Sequence, residues 1–274
     1  MAAEHNIKVE HIRVSYDKID IISNMSLSVP KGKITIIIGA NGCGKSTLLK
    51  SIARILQPKA GTIKINGLDI TRQPPKDVAK MMAVLPQNPS TPAGLLVREL
   101  VSYGRFPHQK TMQALTTHDY EMIDWAIQVV GLKDFSGRPV ETLSGGQRQR
   151  AWIAMALAQE TEILLLDEPT TYLDMAHQLE ILLLLKQLNK EQSRTIIMVL
   201  HELNNAARFA DYVVGVKNGD VICEGTPLEV INTENMAELY GISAKIQYDE
   251  LNKCPVCVSY DLSDSLMAGE VRND

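Results

Sequence analysis

A glycine-rich segment near the amino terminus has the composition and spacing of a phosphate-binding loop. It fits the pattern G-x-x-x-x-G-K-[ST] and lies between an apolar run and a stretch that favours a helix. The glycines let successive backbone N–H groups point toward phosphate oxygens, and a helix amino terminus adds partial positive charge. The alternative, a glycine-rich turn without a ligand, is disfavoured by this context. The predicted phosphate site consists of Gly39, Ala40, Asn41, Gly42, Cys43, Gly44, Lys45, Ser46 and Thr47.

Four side chains could carry the chemistry of such a site. Lys45 is expected to reach the β- and γ-phosphates of a nucleotide, and Ser46 is expected to ligate Mg²⁺. Asp167 and Glu168 follow four apolar residues that are typical of a buried strand. Because ligands of open α/β sheets bind at the carboxyl ends of strands, Asp167 suits the Mg²⁺ shell and Glu168 is placed to polarise a water. Two solvated acids are the alternative, which is weak beside a phosphate loop.

A third segment predicts a second phosphate-binding surface. Ser144, Gly145, Gly146 and Gln147 stand at the start of a helical pattern that continues to Gln159. A helix amino terminus, a hydroxyl group and bare glycine backbone can together bind phosphate oxygens.

The elements that must position these residues alternate between strands and helices. Strand-like runs fill the first sixty residues, and Asn66-Gly67 is a strong hairpin signal, so we expect an antiparallel β region beside a parallel core. Ile34–Ile38 is apolar on both faces, as a buried central strand would be. The helix after the phosphate loop is expected to include Ile55.

Residues 95–140 differ in character from the rest of the chain. Apolar residues recur there at helical spacing and no strong strand is evident, which predicts an inserted helical subdomain. From Ile163 onward, strands and helices alternate again. We therefore expect an α/β domain with a P-loop NTPase core over residues 1–240. Residues 241–274 are expected to form a short β segment and a polar tail.

Composition and charge exclude other classes of protein. The 274 residues carry 28 Lys and Arg against 32 Asp and Glu, and this net charge of −4 argues against a nucleic-acid partner. The apolar runs are too short to cross a bilayer and the amino terminus does not resemble a signal peptide, so a membrane role is expected to come through a partner. Cys254 and Cys257 have the spacing of half a zinc site, but a short strand at residues 256–260 is favoured because no second ligand pair accompanies them.

The phosphate loop, the segment around Ser144 and the acid pair have the order and spacing of the ATPase subunits of ABC transporters, which residues 7–240 resemble. The resemblance implies the ABC ATPase fold and ATP and Mg²⁺ as ligands. It implies that Gln87 contacts Mg²⁺ and the attacking water, and that His201 holds the γ-phosphate and orders Glu168. It also implies that Tyr16 stacks on adenine.

The same resemblance implies a homodimer. The chain has one phosphate loop and one signature segment, and in this family each ATP lies between the phosphate loop of one subunit and the signature of the other. Ser144, Gly145, Gly146 and Gln147 would therefore act on the partner's nucleotide. Asp174 matches the loop that couples the two sites across the dimer.

Residues 103–108 and 168–178 look most like those of the ATPases that serve iron-chelate importers. This likeness implies a binding-protein-dependent importer for ferric siderophore. The expected partners are a transmembrane permease and, indirectly, an extracytoplasmic substrate-binding protein, with the chain on the cytoplasmic face of the cell membrane. Apolar residues within 91–101 could supply the permease contact. The alternatives are an importer ATPase for haem or cobalamin, and a soluble ABC ATPase without a transport role.

Overall fold

The structure is a computed structural model that describes residues 5–17, 19–110 and 114–263. Within these ranges, no helix is both long and apolar enough to span a membrane. The elements in chain order are β1 (His5–Tyr16), β2 (Ile19–Pro30), β3 (Ile34–Ile38), α1 (Lys45–Ile52), β4 (Ala60–Ile65), β5 (Leu68–Asp69), α2 (Pro75–Met81), β6 (Met82–Leu85), α3 (Val97–Ser102), α4 (Thr117–Val129), α5 (Gly145–Ala158), β7 (Ile163–Asp167), α6 (Met175–Gln192), β8 (Thr195–Val199), α7 (Leu203–Phe209), β9 (Tyr212–Lys217), β10 (Asp220–Gly225), α8 (Pro227–Val230), α9 (Thr233–Tyr240), β11 (Ile242–Asp249) and β12 (Cys254–Leu262). Short 3₁₀ helices lie at Ile70–Arg72, Tyr103–Arg105, Lys133–Phe135 and Val140–Thr142.

The chain divides into two units, one made of residues up to Thr71 and from Ile197 onward, the other of Arg72–Ile196. In the first unit, β1 pairs antiparallel with β2 and β4, in the sheet order β2-β1-β4-β5. The turn between β4 and β5 is made by Asn66 and Gly67, which both have positive φ. The predicted antiparallel region and its hairpin are therefore confirmed.

The first unit also contains parallel pairing around β3. Every residue of β3 is buried, as predicted from its apolar faces, and β9 runs parallel to it with Ile36 opposite Val213. The strand order there is β10, β9, β3 and β8. Because β3 leads directly into the glycine-rich segment, the phosphate loop starts at the carboxyl end of a buried strand.

The helix after the phosphate loop, α1, is shorter than the apolar spacing predicts. It ends at Ile52, whereas the prediction includes Ile55. Arg54 has a φ of 58° and Ile55 is 62 % exposed, so the chain has already left the helix. The prediction was wrong because Ile55 continues the helical spacing, while nothing in that spacing marks Arg54 as the left-handed residue.

The first unit includes a carboxyl-terminal hairpin that the sequence predicts only in part. β11 and β12 pair antiparallel, but only a strand at residues 256–260 was expected. Cys254 packs with Ala207 and Ile231 in a buried apolar cluster, which agrees with a small apolar strand residue. The polar tail predicted at the carboxyl terminus lies, from residue 264 onward, outside the described residues.

The second unit combines a parallel strand pair with helices. β6 and β7 run parallel, with Leu85 opposite Leu166, and α3 and α4 both pack on α5. The apolar side chains expected to supply a permease contact are mostly used inside this unit, where the buried ones are Leu95, Val97, Leu100 and Val101. They stabilise the helices rather than offering an exposed surface.

A buried ion pair joins three parts of the second unit. The Arg105 side chain is 1 % exposed, and its Nε donates to Asp119 Oδ1 at 2.7 Å. Its Nη1 donates to the Ala158 carbonyl at 2.7 Å and to Glu160 Oε2 at 3.1 Å. Asp119 also closes a capping box with Thr116 at the start of α4. Burial alone would raise the pKa of Asp119, but hydrogen bonds from Thr116 and Arg105 outweigh it and lower that pKa to about 2.

We expect Asp119→Asn to lower the free energy of unfolding at neutral pH by about 3 kcal/mol, because it leaves the buried Arg105 without its closest anion. The pKa of Asp119 is lowered from 3.8 to about 2, so the stabilisation is complete above the higher value and lost as pH falls through the lower one. Urea unfolding at neutral pH and at about pH 3 should show the difference narrowing with acid. Asp124→Asn, which breaks the exposed pair with Arg98, is the control and should cost less than about 1 kcal/mol. Equal losses of unfolding free energy in Asp119→Asn and Asp124→Asn would show that the buried ion pair stabilises the protein no more than the exposed pair does.

Candidate functional site

The phosphate loop needs glycine for two different reasons. At Gly39 the backbone passes so close to β9 that a Cβ would lie 2.1 Å from the Val216 carbonyl oxygen. Gly42 and Gly44 have φ values of 78° and 108°, which strain any residue with a side chain. A Cβ on Gly42 would meet nothing within 4 Å, so the loop is open at its tip.

The ammonium group of Lys45 lies inside this loop. The residue is 5 % exposed, and Nζ donates to the carbonyl oxygens of Gly39 and Ala40 at 2.8 and 2.9 Å. Cys43 is buried beside it, and Ser46 is half-buried in the first turn of α1. The glycine backbone, the helix amino terminus and the lysine therefore present positive potential at one place, which fits a phosphate group.

The other two predicted residues of the first unit are on its surface. Tyr16 ends β1 and is 45 % exposed, so its ring has a face free of the core for stacking. His201 follows β8, precedes α7 and is exposed. Both positions agree with residues that contact a ligand rather than support the core.

Gln87 and Glu168 meet in the second unit because β6 and β7 are parallel neighbours and each residue lies just past the end of its strand. Gln87 Nε2 donates to Glu168 Oε2 at 2.6 Å, and Thr171 Oγ1 donates to the same oxygen at 3.0 Å. Glu168 has a φ of 53°, a left-handed conformation that is uncommon outside glycine and clusters at functional sites. The carboxylate is therefore held by two donors and by the course of the backbone.

A cleft of about 210 Å³ connects this carboxylate with the signature segment. Its lining includes Gln87, Gly145, Trp152, Glu168 and Thr171. The second unit thus brings the predicted water-polarising acid and the predicted signature to one cleft.

Ser144 caps the helix of the signature segment. Its Oγ accepts the Gln147 backbone N–H at 3.3 Å, and the Gln147 side chain accepts the Ser144 N–H at 3.1 Å. Ser144 and Gly145 are exposed at the amino terminus of α5, whereas Gly146 is buried. A Cβ on Gly146 would lie 2.6 Å from the His177 ring, so glycine is needed there for close packing.

His177 contacts two of the predicted site residues, although the sequence predicts no role for it. Asp174 caps α6 by accepting the His177 N–H at 2.9 Å, and it also contacts His177 Nδ1 at 2.8 Å. These bonds lower the pKa of Asp174. His177 therefore connects Asp174 with Gly146, two residues to which the family resemblance gives separate roles. No sequence motif marked it, because the contact joins the starts of two helices.

The residues predicted to hold Mg²⁺ have suitable donor atoms. Ser46, Gln87 and Asp167 offer a hydroxyl, an amide oxygen and a carboxylate, which are the hard oxygen ligands that Mg²⁺ prefers. Gln87 directs its amide nitrogen at Glu168, which leaves the amide oxygen as its possible metal ligand. Asp167 is 3 % exposed at the end of β7. Ser46 belongs to the first unit and the other two to the second.

A glycine-rich loop between a buried strand and a helix, with a lysine turned into it, defines the chain as a P-loop nucleotide-binding protein. A family model described as "ABC transporter" matches residues 22–171, which is more than half of the chain. The chain belongs to the ABC transporter family. It is 54 % identical to the iron(3+)-hydroxamate import ATP-binding protein FhuC of Bacillus subtilis over 258 residues, 94 % of this chain and 96 % of the relative.

Solved structures have the same fold. An ABC transporter described as metal-chelate type, in an inward-facing conformation, aligns with a TM-score of 0.80 at 28 % identity over 96 % of this chain and 100 % of that chain. The dimeric post-hydrolysis structure of the ATP-binding cassette MJ0796 with ADP and Pi aligns with a TM-score of 0.71 at 28 % identity, over 80 % and 98 %. The predicted ABC ATPase fold is confirmed, and the protein is an ATPase that binds ATP. The MJ0796 cassette is a dimer in that structure.

Proposed function

We propose that this chain is the ATP-hydrolysing subunit of a binding-protein-dependent importer for ferric siderophore and that it acts as a homodimer. The observation that carries the proposal is a full set of ABC ATPase motifs on a chain similar over nearly its whole length to a ferric hydroxamate import ATPase. The chain would lie on the cytoplasmic face of the cell membrane, bound to a transmembrane permease. An extracytoplasmic binding protein would deliver the iron chelate to that permease.

In this proposal, the first unit binds ATP. Residues 39–47 hold the phosphates through backbone N–H groups, and Lys45 moves its ammonium group from loop carbonyls to the β- and γ-phosphates. Tyr16 stacks on adenine, a contact worth roughly 1–3 kcal/mol. His201 holds the γ-phosphate.

Glu168 is the catalytic residue of the proposed reaction. Its carboxylate accepts a hydrogen bond from the attacking water and raises the nucleophilicity of that water. Gln87 and Thr171 fix the carboxylate oxygen that does not face the water, which keeps Glu168 in one orientation. Mg²⁺ held by Ser46, Gln87 and Asp167 would neutralise the charge that develops between the β- and γ-phosphates.

Two surfaces of the second unit support the proposed homodimer. Ser144 and Gly145 are exposed at a helix amino terminus, ready to receive the nucleotide of a partner subunit. Beside Asp174, Tyr172 and Met175 are 87 % and 86 % exposed, and in the proposed homodimer the partner subunit would cover these apolar side chains.

Ser144→Arg is expected to leave ATP affinity within about twofold of wild type and to lower turnover at least about 100-fold, because the serine acts on the partner's nucleotide. Thr142→Arg, a neighbouring exposed position, is the control and should keep most of the activity. Fluorescent-ATP titration and phosphate release measure the two quantities. Loss of ATP binding by the Ser144 variant would contradict action on the partner's nucleotide.

The proposed permease contact includes an aromatic pair. Tyr103 and Phe106 are 42 % and 60 % exposed, and their ring centroids lie 5.6 Å apart. Exposed aromatic side chains are typical anchors of protein interfaces. They replace the apolar residues of the 91–101 segment, which are mostly buried, as the surface offered to a permease helix.

Iron uptake tests the proposed function. The chain would be expressed with the permease and binding-protein genes beside its own in cells that lack siderophore import, and uptake of ⁵⁵Fe-hydroxamate would be measured. We expect uptake with the wild type and only background with Glu168→Gln. Equal uptake with the wild type and Glu168→Gln would contradict import driven by this ATPase. Uptake of haem or cobalamin in place of the iron chelate would overturn the proposed substrate. Absence of any permease gene beside its own would favour an ATPase without a transport role.

A further inference from the structure

The carboxyl-terminal part of the first unit makes a direct bond to the phosphate loop. The backbone N–H of Gly39 donates to the hydroxyl oxygen of Tyr240 at 2.8 Å, across 201 residues of sequence. Tyr240 lies well outside residues 22–171, the part of the chain that the family model matches.

Gly39 is a sensitive place for such a bond because the loop is fixed from both sides of this residue. Its carbonyl accepts from Lys45 Nζ at 2.8 Å, so the lysine position depends on the Gly39 peptide. Its φ of 145° and the close approach to Val216 leave this backbone few alternative conformations. A hydrogen bond to the Gly39 N–H therefore fixes the positions of Lys45 and of the first residues of the loop.

Tyr240 is itself held firmly. It is the last residue of α9, which Gly241 ends in a left-handed conformation with φ 70°. The preceding Leu239 packs so tightly on β9 that a Cβ on Gly215 would lie 2.8 Å from it. Burial raises the pKa of the Tyr240 hydroxyl, which therefore stays protonated at neutral pH and accepts the Gly39 N–H through its oxygen.

The hairpin β11–β12, which follows Tyr240, packs on α7, the helix that begins just after His201. Asn204 of α7 bonds the backbone of Cys257 twice, at 2.8 and 3.1 Å, in the manner of a neighbouring strand. A cavity of about 540 Å³ is lined by residues of α7 and of the hairpin, and both His201 and Tyr240 border it. Tyr240 thus contacts the phosphate loop and borders the same cavity as the histidine expected at the γ-phosphate.

We propose that Tyr240 is a positioning residue of the ATP site, whose hydroxyl fixes the Gly39 peptide so that the phosphate loop is formed before the nucleotide binds. The hydroxyl oxygen of Tyr240 accepts the Gly39 N–H, and this is the contact that Tyr240→Phe would remove. Tyr240 does not touch the reacting atoms. We therefore expect Tyr240 to stabilise bound ATP equally in the ground state and in the transition state. Loss of such binding raises KM and leaves kcat unchanged.

Tyr240→Phe removes the hydroxyl and keeps the ring. We expect KM for ATP to rise roughly three- to tenfold, the loss of one hydrogen bond to a buried N–H, with kcat within about twofold of wild type. Tyr248→Phe in β11, where the tyrosine is 48 % exposed, is the matched control and should change neither quantity.

Hydrogen exchange without nucleotide tests the same bond directly. In the wild type, the Gly39 amide should exchange at least about tenfold more slowly than the exposed amides of Asn41 and Gly42, and Tyr240→Phe should abolish that protection. Rapid exchange of Gly39 in the wild type, an unchanged KM in Tyr240→Phe, or a fall in kcat at constant KM would each overturn the proposal. Failure of the wild type to hydrolyse ATP would instead contradict the ATPase assignment. The hydrogen-exchange result would then be the test of the bond between Tyr240 and Gly39, because it is measured without nucleotide.

Discussion

Replacing Glu168 by glutamine is expected to lower ATP turnover by about 10²- to 10⁴-fold and to leave ATP affinity near the wild-type value. Glutamine keeps the shape of the side chain and can still bond Thr171, but it has no negative charge with which to polarise water. Because Gln87 and Thr171 already fix one carboxylate oxygen, the loss is confined to the oxygen that faces the water.

Phosphate release and fluorescent-ATP titration measure the two effects separately. Glu250→Gln, in the exposed turn between β11 and β12, is the matched control and should hydrolyse ATP normally. Near-normal turnover in Glu168→Gln would show that another group activates the water, and the strained backbone at Glu168 would then need a different explanation.

Lys45→Ala is expected to lose ATP binding, the step before the hydrolysis that Glu168→Gln blocks. The lysine supplies charge-assisted hydrogen bonds to the β- and γ-phosphates, so its removal should weaken ATP binding roughly 10- to 100-fold. In the structure, its ammonium group already lies inside the loop, bonded to the Gly39 and Ala40 carbonyls. It therefore needs only a short movement to reach a phosphate.

Lys50→Ala, in the last turn of the same helix, controls for loss of a positive charge from α1. We expect it to bind ATP with wild-type affinity. If Lys45→Ala binds ATP as tightly as Lys50→Ala, the lysine does not contact the phosphates. Adenosine, which has no phosphates, should bind both variants equally.

The parts of the fold that the sequence predicts well are those encoded by neighbouring residues. Ile34–Ile38 is apolar at every position and is a buried strand, and the Asn66-Gly67 turn appears as expected. The capping box of Thr116 and Asp119 is equally local, since its partners are three residues apart. These features need no knowledge of distant parts of the chain.

Features that depend on distant parts of the chain were missed. The four-residue strand β6 is too short to stand out, yet its pairing with β7 brings Gln87 to Glu168. The bond from Gly39 to Tyr240 and the packing of His177 on Gly146 join residues whose types suggest nothing alone. Sequence motifs therefore point to the groups expected to do chemistry, whereas the contacts that orient those groups are visible only in the structure.

In the proposed mechanism, ATP is hydrolysed by a dimer in which each nucleotide is held between two subunits. Light scattering on Glu168→Gln with MgATP tests it most directly, with Glu168→Gln/Ser144→Arg as the matched control. We expect a mass of about twice the 30.3 kDa chain for Glu168→Gln with MgATP, and a single-chain mass without nucleotide and for the double variant under both conditions. A single-chain mass for Glu168→Gln saturated with ATP, or a dimer that forms equally well in the double variant, would contradict it.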